Sequence, residues 1–135
     1  MIIITSMQKL TAQRQAILDL INGSNRHWDA YEVARALADA GSPIGIATVY
    51  RGLNALESMR LIASIQLADK KRYERSDKAH HDHMVCTACG RIEEFAHETI
   101  EALQEAAAAE RGFRLTGHQL VMFGLCRNCA QEQGT

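Results

Sequence analysis

The chain has 135 residues, 47% hydrophobic and 23% charged, with a net charge of −1. That length holds one ordinary domain or two small ones, and the balance of apolar and charged residues excludes a disordered chain. No apolar run nears the roughly 20 residues of a membrane span. Met1-Ile2-Ile3-Ile4 is too short, and lacks the basic start, for a signal peptide, so a cytoplasmic protein without a membrane partner is expected.

The first elements read as helices. Thr11 is placed to cap a helix over 12–21, whose stripe is Ala16, Ile17, Leu20 and Ile21, and Gly23 ends it. Asp29 caps a second helix over 30–40, with Val33, Ala34 and Leu37 inward and Gly41 as its stop. Ser42-Pro43-Ile44-Gly45, with the only proline, is a tight connector. A third helix over 46–59 buries Val49, Leu53 and Leu56. Two helices joined by a short Gly-containing turn have helix-turn-helix spacing. Residues 61–67 alternate like a strand, Asp69-Lys70 is turn-like, and 71–75 returns, so a hairpin follows the third helix as a wing.

Residues 76–79 form a short polar hinge, and the expected domains are 1–76 and 77–135. Charge divides unevenly across it. Residues 1–78 carry 11 Lys and Arg against 8 Asp and Glu, whereas 79–135 carry 4 against 8. A basic front and an acidic, ligand-rich back suggest two tasks. Beyond the hinge, 81–86 and 91–95 are strand-like, 97–110 is a helix rich in Ala and Glu, and 113–125 is a long strand candidate. The fold class is α+β: an N-terminal winged helix-turn-helix domain and a small C-terminal α/β dimerisation domain with zinc knuckles.

All four cysteines fall in two Cys-x-x-Cys pairs, Cys86/Cys89 and Cys126/Cys129. Two such pairs can wrap one tetrahedral zinc as thiolates, and Gly90 suits the turn of a knuckle. The alternatives are two disulfides or four buried thiols. Just before the first pair stand His80, His81, Asp82 and His83. A strand sends alternate side chains to opposite faces, so His81 and His83 share one face and His80 and Asp82 the other. One strand can thus seed two nitrogen/oxygen metal sites.

On the third helix Ala47, Thr48, Tyr50, Arg51 and Asn54 are left for an outer face. Thr methyls can meet thymine methyls, and Arg can fork onto guanine. Lys9 and Arg14 near the first helix start, and Lys70, Lys71 and Arg72 on the wing, can hold phosphate or enter a minor groove. The bland alternative for the wing charges is a solvated turn.

Gly45-Ile46-Ala47-Thr48-Val49-Tyr50-Arg51 followed by His80-His81-Asp82-His83-Met84-Val85-Cys86-Thr87-Ala88-Cys89-Gly90 resembles the ferric uptake regulator (Fur) family, dimeric metal-dependent bacterial repressors. The resemblance runs from about Lys9 to Cys129. It implies a structural zinc on Cys86, Cys89, Cys126 and Cys129. It implies a regulatory site on His27, Glu74, His81, His83 and Glu94, taking Fe(II), or else Mn(II) or Zn(II), and a further site on His80, Asp82, Glu101 and His118. It carries over Tyr50 and Arg51 for recognition and Lys9 for the minor groove. Gln13 departs from a proline common in relatives.

The expected function is a metal-gated repressor, not an enzyme, that binds a palindromic operator as a homodimer. One ion would bridge the two domains. No cysteine remains for the regulatory set, which argues against thiolate-using zinc sensors, and Glu94 stands where peroxide sensors favour Asp. Two rivals are a metallohydrolase built on the His/Asp run and a zinc-stapled protein-interaction module.

Overall fold

In the computed structural model, Thr11 in extended conformation accepts from the Arg14 amide and starts α1 (Ala12–Asn22). Asp29 starts α2 (Ala30–Asp39) with a reciprocal capping box, accepting from the Glu32 amide while the Glu32 side chain accepts from its own. Gly45 opens α3 (Ile46–Ser58) without a side-chain cap. The wing follows as antiparallel β1 (Ile62–Gln66) and β2 (Lys71–Arg75), with Ile62 opposite Arg75 and Gln66 opposite Lys71. The structure describes residues 9–67 and 70–133. The apolar start at Met1–Ile4 and Asp69 of the expected turn lie outside them.

The chain divides into two compact units, Met1–Lys78 and Ala79–Thr135. The first has a continuous core: Ile17 and Ile21 of α1, Val33 and Leu37 of α2, and Val49, Leu53 and Leu56 of α3, with Trp28, Ile62 and Tyr73. Each helix supplies its residues at three- and four-residue spacing, so one stripe faces the common centre. A bridge between Trp28 and Tyr73 ties the segment before α2 to the wing. Burial on β1 falls on Ile62 and Ile65 rather than on alternate residues.

The second unit is a three-stranded sheet in the order β4-β3-β5, made of β3 (Asp82–Cys86), β4 (Ile92–Phe95) and β5 (Val121–Gly124). β4 runs antiparallel to β3, and β5, arriving after α4 (Glu98–Glu110), runs parallel to it. A short helix α5 (Arg127–Gln133) closes the unit; nothing in its polar sequence had announced it.

The long strand expected over 113–125 shrinks to four residues. Two causes account for this. The Phe113 amide is spent on Ala108 O and the Gly112 amide on Ala109 O, with Gly112 at φ +76°, so these residues finish α4 as a Schellman turn. Strand geometry then appears only where β3 offers ladder partners, from His83 opposite Val121 to Cys86 opposite Gly124.

Candidate metal centres and nucleic-acid interface

Cys86 ends β3, and Gly90, at φ +81°, gives its amide to Cys86 O at 2.9 Å to close the first knuckle. Without a Cβ, Gly90 takes that conformation at no steric cost. Thr87 binds Gly124 O at 2.8 Å through its amide, which brings the second Cys pair alongside. The four sulfurs lie within 4.8 Å of one another, and all four cysteines are free. Cys89 and Cys126 sulfurs are 3.9 Å apart, far beyond the roughly 2.05 Å of a disulfide.

The amides of Cys126, at 3.4 Å, and Cys89, at 3.5 Å, point at Cys86 Sγ and pull that thiol down to about 6. Cys129 goes the other way. Hydrogen bonding to Cys126 and Cys86 among the crowded sulfurs pushes it up to about 12. Four thiols this close cannot all ionise unless a cation shares the space. The donor set and its spacing therefore fit zinc.

The second cluster forms around Asp82, fully buried at the start of β3. His118 Nε2 is 3.2 Å from Asp82 Oδ1, and His80 Nε2 is 3.6 Å from the same oxygen. Glu101, in the first turn of α4, brings Oε2 to 3.2 Å from His80 Nε2 and 3.6 Å from His118 Nε2. The other carboxylate oxygen, Asp82 Oδ2, is buried with no hydrogen-bond partner. A buried carboxylate oxygen left bare is costly, and two imidazoles with two carboxylates around it suit a divalent cation.

The remaining five candidates divide between the units. In the first, His27 Nε2 is 3.3 Å from Glu74 Oε1. In the second, His81 Nε2 is 3.7 Å from Glu94 Oε2, and the His81 and His83 rings are 4.7 Å apart. His81 Nδ1 lies 2.8 Å from the Ala79 carbonyl, which can only accept. That contact places a proton on Nδ1 and leaves Nε2 as the nitrogen available to a metal, the arrangement usual for a metal-ligating imidazole. Although β3 begins at Asp82, the two-residue period already holds: His80 approaches Asp82, and His81 meets His83 edge to face.

The nucleic-acid candidates gather on α3 and the start of α1. Arg14, Thr48 and Arg51 line one cavity of about 210 Å³ with Thr11, Gln13 and Gly52. Arg51 Nη2 donates to Thr48 Oγ1 at 3.1 Å, which fixes the guanidinium along the helix. Tyr50 is exposed, and Lys9 is exposed just before α1 without lining that cavity. Sequence reasoning passed over Tyr31, whose ring stands edge-on to Tyr50 at 6.5 Å between centroids. An aromatic on the polar side of α2 was the available signal. It also passed over Lys78, which binds Glu74 from four residues downstream.

The ferric uptake regulator family model matches residues 5–123. A ferric uptake regulation protein of Campylobacter upsaliensis is 41% identical over 124 residues, 90% of this chain and 80% of that protein. Among solved structures, the ferric uptake regulator from Francisella tularensis with iron superposes with a TM-score of 0.83 at 35% identity, covering 90% of this chain and 94% of that one. A zinc uptake regulator complexed with zinc and DNA superposes at 0.66 with 25% identity, covering 98% and 90%. The motifs at Gly45–Arg51 and His80–Gly90, the α+β fold and these similarities together make the chain a member of the ferric uptake regulator family.

Proposed function

We propose that the protein is an iron-responsive transcriptional repressor that binds palindromic operator DNA as a homodimer when its regulatory donors are filled. The observation that carries this reading is the pairing, in one chain, of a winged helix with exposed Tyr50 and Arg51 and a second unit dense in metal donors. The similar structures with iron, and with zinc and DNA, support it.

Cys86, Cys89, Cys126 and Cys129 would hold structural zinc, which supplies folding free energy as a cross-link. That help is needed. Among the described residues, the buried apolar side chains of the second unit are Val85 and Cys86 alone, and α4 buries none. Met84, Met122, Phe123 and Leu125 are exposed around an apolar groove of about 320 Å³, and β5 is an edge strand. A second copy of the chain would cover that face.

His27 and Glu74 from the first unit, with His81, His83 and Glu94 from the second, would form the regulatory set. Its donors are imidazole and carboxylate without thiolate, which suits Fe(II) and also Mn(II) or Zn(II). An ion held by donors of both units would couple the two. For that coupling to act as a switch, the DNA-binding arrangement must hold the ion more tightly than any other. His80, Asp82, Glu101 and His118 would hold a further divalent cation. Arg51 would fork onto guanine, Thr48 and Tyr50 would meet neighbouring groups in the major groove, Arg14 would hold phosphate, and Lys9 would reach the minor groove.

Under this reading the chain is a regulator and not an enzyme. Among the described residues no helix is long and apolar enough to cross a membrane. The test is an anaerobic gel shift on an AT-rich palindromic duplex with and without Fe(II). His81→Ala is expected to weaken the Fe(II)-dependent shift at least about ten-fold, or about 1.4 kcal/mol, and to leave the dimer intact by sedimentation. A shift indifferent to Fe(II), or loss of the dimer in that variant, sinks the assignment.

A further inference from the structure

We propose that Lys78 sets the metal affinity of the regulatory site, as a tethered ammonium that neutralises Glu74 in the metal-free chain and competes with the metal for it. The proposal rests on the reading of His27 and Glu74 as regulatory ligands. Lys78 Nζ donates to Glu74 Oε1 at 2.8 Å and to the Asn25 carbonyl at 3.3 Å. His27 Nε2 is 3.3 Å from the same Glu74 oxygen. An ammonium and an imidazole thus address one carboxylate oxygen.

The surroundings make this a built contact rather than a solvated lysine. The Lys78 side chain is 12% exposed, Glu74 4% and His27 9%. A carboxylate so covered is expensive to hold as an anion without compensation. Lys78 supplies a compensating charge at hydrogen-bond distance, and the Asn25 carbonyl holds the ammonium in place. Most exposed Glu–Lys pairs four apart contribute little; this one is covered, and it falls on the oxygen that faces His27.

Glu74 cannot give Oε1 in full strength to both cations. Sharing it keeps a positive charge beside a divalent ion in a poorly hydrated setting, where like charges a few ångströms apart repel strongly. Releasing it costs the ammonium its 2.8 Å hydrogen bond to Glu74. Either route weakens metal binding, so residue 78 sets the concentration at which the regulatory donors fill. A lysine that only oriented Glu74 would have the opposite effect, because removing an orienting partner loosens a metal site. The sign of the change separates the two roles.

The experiment is calorimetric titration of the full chain, zinc retained, with Mn(II), together with thermal melts without added Mn(II). Lys78→Met is expected to bind Mn(II) at least about ten-fold more tightly and to melt at a lower temperature when Mn(II) is absent. Lys78→Arg keeps the charge and is expected to bind like the parent. If Lys78→Met binds equally or more weakly while Glu74→Gln still weakens binding, the role of Lys78 falls and the ligand assignment stands. If Glu74→Gln leaves Mn(II) binding unchanged, the assignment falls and the proposal with it. Should Lys78→Met fail to fold, Lys78→Gln carries the same comparison: tighter binding supports the proposal, and equal or weaker binding overturns it.

Discussion

Glu57 sits in the last turn of α3, where a carboxylate meets the negative end of the helix dipole. Two wing residues make it tolerable. Ser64 on β1 donates to Glu57 Oε2, and Lys71 on β2 donates to Oε1 at 2.9 Å. Burial pushes the Glu57 carboxyl up, but these hydrogen bonds and the Lys71 charge outweigh it and hold the group below its ordinary value. The hydrogen bond to Glu57 raises Lys71 in turn. A carboxyl depressed in the folded chain contributes stability that is full above its unfolded pKa, about 4.3, and is lost as pH falls through the folded value. Glu57→Gln should therefore be less stable than the parent near neutral pH, with the gap closing as urea melts are taken down through about pH 4 to pH 3. A gap that stays constant with pH would show that the charge on Glu57 does not pin the wing. This trio was not legible in the sequence, because a helix end and two strands meet there only after the hairpin folds back.

At the scale of elements, the crossing of α1 and α3 depends on Gly52. Glycine inside a helix costs about 1 kcal/mol against alanine, so its place here has a reason. A Cβ at Gly52 would stand 2.7 Å from Ile17 Cδ1, and Ile17 is fully buried. Gly52→Ala gains helix propensity but forces Ile17 to move, an overpacking cost of about 1–3 kcal/mol. Thermal melts should show a net loss for Gly52→Ala in the parent, and a smaller loss or a gain in the Ile17→Val background, where that methyl is gone. Equal effects in both backgrounds would mean that the two helices are not limited by this contact. The same scale holds the clearest difference between expectation and structure. Residues 113–125 are apolar enough to read as one strand, yet the start of the segment is consumed in ending α4, and β3 has room to pair only with Val121–Gly124.

At the scale of the whole molecule, the two units are unequal in how they are held together. The first buries a continuous apolar core, whereas the second leaves Leu103, Phe113 and Phe123 each more than half exposed. A unit of that size with so little buried apolar surface is stable only with a metal staple or a partner. Under the proposed homodimer, Phe123→Lys is expected to leave the fold of the single chain intact, since Phe123 is exposed in it, and to shift sedimentation equilibrium from dimer to monomer. Operator binding should fall with it, because two recognition helices would no longer be presented together. A dimer that persists in this variant would place the subunit interface elsewhere.

Whatever is written in short periods and fixed spacings could be read along the chain alone. Thr11 and Asp29 announce helix starts, and the stripes of α1 to α3 announce one three-helix core. The two Cys-x-x-Cys pairs announce a sulfur cluster, and alternation divides His80 and Asp82 from His81 and His83. These features depend on neighbours a few residues away, where helix and strand geometry leave little freedom. It took the folding of the chain to lay β5 parallel beside β3, to bury Asp82 fully with one oxygen bare, and to bring Lys78 and His27 to one carboxylate oxygen. Those outcomes depend on which distant segments pack together, and residues far apart in the chain carry no common period from which that packing can be read.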